Sequence, residues 1–193
     1  MEHEIMMTGV GGQGVQLAAQ ILARSAVVEQ REVMTLGTYG GTMRGGNTDS
    51  TLVVADGPIH SPPIVAEVGI ALAMHHAFFE PVAKKLRPGA LVVVNSTIFE
   101  EKVQAEDASC LEIPATRIAS DLGVGMAASL VLIAAFAKYT GFVSLDSLVA
   151  GMEQSVPSYR SQHVEGNAKA LRAGYDAIEP GGTPAWPDVG GTS

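Results

Sequence analysis

The segment from Glu4 to Glu29 constrains the fold most. A short apolar run, Glu4 to Thr8, passes directly into the glycine cluster Gly9-Val10-Gly11-Gly12-Gln13-Gly14. A helical pattern follows from Gly14 to Glu29, with Val15, Ala18, Ala19, Leu22 and Ala26 on one face. Strand, glycine loop and helix in that order make a Rossmann-like first βα unit. Gly9, Gly11 and Gly14 match the G-x-G-x-x-G spacing in the context a dinucleotide fingerprint requires. The acidic residue expected at the end of the second strand, where it would hold a ribose hydroxyl, is missing. Val33-Met34-Thr35-Leu36-Gly37 carries none, and Glu32 precedes that strand. NAD is therefore disfavoured, and the loop reads either as a ligand loop or as a tight strand-to-helix turn. Gly12-Gln13 adds a bare backbone position and an amide able to donate and accept.

A second glycine cluster, Tyr39-Gly40-Gly41-Thr42-Met43-Arg44-Gly45-Gly46-Asn47, follows after the second strand. Glycine lets backbone amides approach a ligand closely, so two such loops at one end of a sheet predict an anion pocket. Arg44, flanked by Gly45 and Gly46, is the candidate clamp for a carboxylate or phosphate, with Tyr39 stacking or donating a hydrogen bond. Asp56-Gly57-Pro58-Ile59-His60-Ser61-Pro62-Pro63 reads as a turn closing one strand, and Asn95-Ser96-Thr97 as the end of another. Strand ends are where open α/β sheets bind ligands.

Strand-length apolar runs occur at Glu4–Thr8, Val33–Leu36, Thr51–Ala55, Gly69–Ala73, Leu91–Asn95 and Cys110–Ile113. Helical segments fill Phe79–Leu86, Thr116–Leu122, Met126–Tyr139 and Leu145–Ser155, with Gly123 and Gly141 as stops and Ser144 as an N-cap. Arg160–Ile178 is an amphipathic helix with Val164, Ala168, Leu171, Tyr175 and Ile178 on its apolar stripe. The pattern predicts a three-layer α/β/α fold around a mostly parallel sheet of about six strands. One such domain covers 1–179, and 180–193 is a Gly/Pro-rich tail. The sole tryptophan, Trp186, lies on that tail, where burial of its ring predicts docking either on a partner chain or on its own domain.

Composition narrows the function classes. A net charge of −8 argues against neutralising the phosphates of a nucleic acid. Only 17% of residues are charged while 47% are hydrophobic, which predicts a surface partly covered by other subunits. Cys110 is the single cysteine, so the chain alone cannot ligate an iron–sulfur cluster, and a buried place in its strand is expected for it. The longest apolar run, Met126 to Phe136, is too short to cross a bilayer and predicts a buried helix. No secretory signal is read, and a cytoplasmic chain without membrane partners is expected. His75 and His76 are adjacent, which sets their side chains apart and speaks against a shared metal ion. No catalytic set stands at informative spacing.

These motifs resemble the gamma subunit, or gamma domain, of 2-oxoacid:ferredoxin (or other acceptor) oxidoreductases. The resemblance runs from the first glycine loop through Tyr39-Gly40, Arg44-Gly45-Gly46, Asp56 to Pro62, Asn95-Ser96 and Ile113-Pro114-Ala115-Thr116 to Asn167-Ala168-Lys169-Ala170-Leu171 and Gly174-Tyr175. Gly41 and Thr42 stand where relatives place proline and glutamate, and Gly125-Met126-Ala127-Ala128 lacks a frequent asparagine. The resemblance implies a non-autonomous subunit of an enzyme that oxidatively decarboxylates a 2-oxo acid to an acyl-coenzyme A. It implies alpha and beta partner subunits and a ferredoxin-like delta subunit, which carry thiamine diphosphate, Mg2+ and [4Fe-4S] clusters. For this chain it implies assembly and contact with coenzyme A, with Gly9, Gly11, Gly12, Gln13, Gly14, Tyr39, Arg44, Gly45, Gly46 and Asn95 as the candidate site. A free-standing nicotinamide-dependent dehydrogenase and a non-enzymatic nucleotide-binding module are the competing readings.

Overall fold

The apolar runs become six strands: β1 (Glu2–Val10), β2 (Glu32–Tyr39), β3 (Asn47–Ala55), β4 (Val68–Ala73), β5 (Leu86–Asn95) and β6 (Ser109–Ile113). The computed structural model describes residues 1–40, 45–60, 62–99, 103 and 107–186. The strands form one sheet in the order β2-β3-β1-β4-β5-β6. β1, β4, β5 and β6 pair in parallel, while β3 runs antiparallel to both of its neighbours. The sheet is therefore mixed but mostly parallel. Helix α1 (Val15–Val28) carries the chain from β1 to β2 across one vacant position, and the chain then turns back to fill it with β3.

That hairpin decides which motifs meet. It sets Gly9 opposite Thr48 and Val10 opposite Asn47 on one side of β3, with Tyr39 opposite Thr48 on the other. Both glycine clusters thus lie at the edge of the sheet where the parallel strands end. The Asp56 turn does not. Because β3 runs the other way, Ala55-Asp56-Gly57 emerges at the opposite edge, where the Met1 ammonium pairs with Asp56 and the His60 amide donates to Glu2. The expectation that this turn borders a ligand site is overturned by the direction of one strand.

One face of the sheet carries the main core, built with α1, α3 (Ala115–Asp121), α4 (Ala128–Thr140), α5 (Leu145–Ser155) and α6 (Val164–Asp176). Every residue from Ala128 to Ala137 is buried, as the long apolar run predicts. Each fully buried large side chain there, such as Phe136, Leu130 or Leu132, stabilises the fold by about 1.5–3 kcal/mol. Gly141 ends α4 in the left-handed conformation, and the Ser144 hydroxyl caps α5 by accepting from the Ser147 amide. No described helix is long and apolar enough to cross a membrane.

The other face is thinly covered by the described residues. Met6, Ala71, Ala73, Val92 and Val94 pack against Phe79 and Val82, the latter on the four-residue helix α2 (Glu80–Ala83). A helix was expected through Leu86, but Leu86 already belongs to β5, paired with Val68. Cys110 is a second correction: it is exposed, because β6 is an edge strand and its side chain shares the sparsely covered face with Val92. Partial burial and the nearby Glu112 raise its thiol pKa, so it remains a protonated thiol.

The C-terminal segment resolves the two readings of Trp186 in favour of its own domain. Gly182 donates to Tyr139 O at 3.0 Å and Ala185 to Thr140 O at 2.8 Å. The Trp186 indole donates to Phe142 O at 2.8 Å, its ring meets His3 edge-on at 4.6 Å, and the Arg31 guanidinium stacks 3.6 Å above it. Burial pushes the His3 imidazole below its ordinary pKa, outweighing the Ala185 carbonyl that it contacts.

Candidate functional site

The two glycine clusters are joined by backbone hydrogen bonds. The Gly11 amide donates to Gly46 O at 2.8 Å and the Gly45 amide to Gly11 O at 3.3 Å, while within the second cluster the Gly40 amide donates to Asn47 O at 2.8 Å. Gly45 and Gly46 therefore lie directly beside the first loop. Arg44 lies outside the described residues, and Tyr39 is placed by its backbone, at the end of β2.

Within the first loop the residues have distinct tasks. The Gln13 side chain accepts from the Val10 amide at 2.8 Å and reaches Met74 O at 3.5 Å, so it ties the loop to the neighbouring strand end. Gly9 sits where a Cβ would come within 2.8 Å of Val15 and 3.0 Å of Met74. It is a packing glycine. Gly14 caps α1 in the left-handed conformation at φ +77, and its carbonyl accepts from the Ser129 hydroxyl at 3.3 Å. Helix α1 has no side-chain cap and no acidic residue in its first turn, so its amides face a neighbour other than protein carboxylate. Gln16 spans to β3, donating to Asp49 O at 2.6 Å.

That neighbour is a cavity of about 700 Å3, lined by Gly11, Gly12, Gly14 and the start of α1 on one side. Its opposite wall consists of Gly123–Ala127, Val156, Pro157, the approach to α6 with Arg160, Gln162 and His163, and Asn167 in the first turn of α6. The chain carries a net charge of −8, yet among the described residues no carboxylate lines this cavity, and the ionisable ones that do are Arg160 and His163. Apolar Val15, Leu17, Val124 and Met126 complete the walls. The combination suits an elongated ligand with both anionic and apolar parts.

The second wall is the part that sequence reasoning missed. Arg160–Ile178 was expected to be one helix, whereas residues Ser158–His163 form 3-10 turns with Arg160 at φ −115, ψ 17, and α6 begins at Val164. The apolar stripe itself begins at Val164, which was the available signal: the four residues before it have no core to face. Pro157 and the pair Gly123 and Gly125 mark the same wall in the sequence.

Asn95 ends β5 at the same edge of the sheet but is fully buried. Its carbonyl accepts from the Thr116 amide at 3.1 Å and its amide donates to the Thr116 hydroxyl at 2.8 Å, pinning β5 to α3. It does not line the cavity. His75 and His76 follow β4 beside the first loop, since the intervening Met74 amide bonds Thr8 O. The His75 Nδ1 accepts from the Ala77 amide at 3.1 Å, and the His76 Nδ1 lies 3.2 Å from Ile98 O. Their rings approach to 4.5 Å, closer than adjacent positions in one regular element allow, because the backbone changes from extended to 3-10 between them. Burial, then the neighbouring His76, holds the His75 pKa below its ordinary value.

Comparison with known proteins places this arrangement. The profile described as pyruvate ferredoxin/flavodoxin oxidoreductase matches residues 4–177. The chain is similar to the KorC subunit of 2-oxoglutarate synthase from Methanocaldococcus jannaschii, with 30% identity over 93% of this chain and 95% of that protein. Its structure is similar to the gamma subunit of a keto/oxoacid ferredoxin oxidoreductase from Geobacter sulfurreducens, with a TM-score of 0.78 and 25% identity over 92% and 96% of the two chains. The same fold occurs within a longer chain, the 2-oxoglutarate:ferredoxin oxidoreductase of Magnetococcus marinus. There the TM-score is 0.80 at 16% identity, over 95% of this chain and 33% of that one.

Proposed function

The chain belongs to the pyruvate ferredoxin/flavodoxin oxidoreductase family, and from that premise we propose that it acts as the gamma subunit of a multi-subunit 2-oxoacid oxidoreductase. The observation that carries the proposal is the match along nearly the whole length of proteins that are themselves subunits. Alpha and beta subunits and a ferredoxin-like delta subunit supply thiamine diphosphate, Mg2+ and [4Fe-4S] clusters, and ferredoxin or a related carrier takes the electrons. A chain with one cysteine fits that division, as does the lack, among the described residues, of any group of three or more His, Cys, Asp and Glu side chains able to hold a metal.

At the joined glycine loops, the proposal places contact with coenzyme A. Its thiol receives the acyl group, while the chemistry of decarboxylation belongs to the partners. This chain's own residues bind and orient. Amides of the first loop and of α1, with Arg160 and His163, form a donor set for phosphates, and Val124 and Met126 offer apolar surface to the rest of the ligand. Arg44, between Met43 and Gly45 in the sequence of the second cluster, is the further candidate for those phosphates. The lack, among the described residues, of any carboxylate on the cavity wall supports this fit. Gln13 holds the first loop against the neighbouring strand end.

A nicotinamide-dependent dehydrogenase is less well supported, because β3 occupies the position beside β1 where the fingerprint places the ribose-binding strand. Arg44→Ala in the assembled enzyme tests the coenzyme A reading. Loss of a charged hydrogen bond should raise the Michaelis constant for coenzyme A by the equivalent of about 1.5–3 kcal/mol with assembly intact. An unchanged constant removes Arg44 from the site, and tight NADH binding by the chain alone would favour the dehydrogenase instead.

A further inference from the structure

We propose that the outer edge of β2 pairs with the β2 edge of a second copy of this chain, antiparallel and two-fold symmetric about Thr35, joining two six-stranded sheets into one. β2 is the terminal strand of the sheet, so its far side has no strand partner among the described residues. It is long for an edge, eight residues, and its pairing with β3 runs without a bulge from Glu32 to Tyr39. Met34 and Leu36 are 45% and 37% exposed, on the face of the sheet that Met6 shares.

Soluble proteins blunt free edges with short strands, charges, prolines or bulges. The other edge of this sheet follows that rule: β6 has five residues, and Glu112 is among its exposed side chains. β2 does not follow it. From Val33 to Gly40 there is no charged residue and no proline. Such a strand in a stable protein is expected to be covered.

The occupant follows from charge and register. Two copies each carrying −8 repel over most of their surface, and this uncharged strip is where they approach at least cost. With Thr35 opposite Thr35 of the second copy, directly opposed residues keep to one face of the sheet. Met34 then meets Leu36 of the second copy twice, on the exposed face, and Glu32 meets Thr38 rather than another acid. An isologous contact of this kind closes after two copies, so it gives a dimer and not a filament. Within the oxidoreductase it would pair two gamma units; the contact itself depends only on this chain.

The test uses the full chain with Cys110→Ser, to which Thr35→Cys or Thr38→Cys is added. Opposed Cβ atoms about 4.5–5.5 Å apart allow a disulfide with slight adjustment. Mild oxidation should therefore cross-link Thr35→Cys chains into dimers. The two copies of position 38 lie six residue steps apart along the strands, roughly 20 Å, so Thr38→Cys should not cross-link. Light scattering should show a dimer for the unmodified chain, and Met34→Lys with Leu36→Lys should weaken it about tenfold or more. Trp186 fluorescence confirms that each variant is folded. A chain that stays monomeric at its highest soluble concentration, or equal cross-linking at both positions, overturns the proposal. So does hydrogen exchange showing β2 amides protected only when other subunits are bound.

Discussion

Substituting Gly14 by alanine tests how the site is held at the start of α1. The residue caps the helix at φ +77, where an L side chain costs about 1–2 kcal/mol, offset in part by about 0.4–1 kcal/mol from a stiffer unfolded chain. The new Cβ would also stand 2.8 Å from the Ser129 hydroxyl oxygen. That hydroxyl must turn away and give up its donation to the Gly14 carbonyl, a further loss of about 1 kcal/mol. Gly14→Ala should thus destabilise by about 2 kcal/mol, lowering the melting temperature by about 4–8 °C for a chain of this size. In a Ser129→Ala background the nearest atoms to that Cβ are the Met126 carbonyl oxygen at 3.9 Å and the residue 129 Cβ at 4.0 Å, both ordinary contacts. There the same substitution should cost only about 1 kcal/mol, leaving a coupling of about 1 kcal/mol between the two positions. Urea and thermal unfolding of the four chains measure the cycle. Equal costs in both backgrounds, or a stabilised Gly14→Ala chain, would refute the argument that α4 holds the glycine loop through Ser129.

Further outcomes are expected elsewhere. Removing the Trp186 ring by alanine discards the indole bond to Phe142 O and the stack under Arg31, and should cost about 2–4 kcal/mol by urea unfolding; a change under 1 kcal/mol would mean the C-terminal segment is not docked. His3, with its pKa lowered from 6.5, resists a proton that the unfolded chain accepts. Stability should therefore be full above about pH 6.5 and fall as the pH drops from there through the lowered value, and His3→Gln should flatten that dependence in unfolding measured against pH. Asn95→Ala leaves the Thr116 amide without its acceptor and should destabilise by about 1–3 kcal/mol without changing the cavity's ligand affinity in a direct titration.

Much of the fold is legible because burial and periodicity agree. The β-branched runs ending at Ala55, Ala73, Asn95 and Ile113 are strands, and Ser144 and Gly141 bracket a helix turn through local chemistry that no distant contact alters. Strand direction is not local. Nothing in Thr51–Ala55 says that it runs against β1, so the Asp56 turn falls at the opposite edge from the one expected. Cys110 is misread for a related reason: period alone does not say which face of an edge strand is left uncovered. At the site, both glycine loops are visible as compositions, and their adjacency follows only once the β2–β3 hairpin sets the register. Arg160 and His163 join them through a break in a helix whose hydrophobic stripe starts at Val164. Trp186 shows the limit from the other side, since a glycine- and proline-rich segment can still bind tightly when its carbonyl and ring partners lie on a finished core.

The most direct measurement is reconstitution of the oxidoreductase with and without this chain, following acceptor reduction that depends on both a 2-oxo acid and coenzyme A. The account predicts turnover only when the chain and its partner subunits are present together, and none from the 20.0 kDa chain alone. Oxidation of the oxo acid by the isolated chain, or coenzyme A-dependent turnover unaffected by leaving it out, would contradict it.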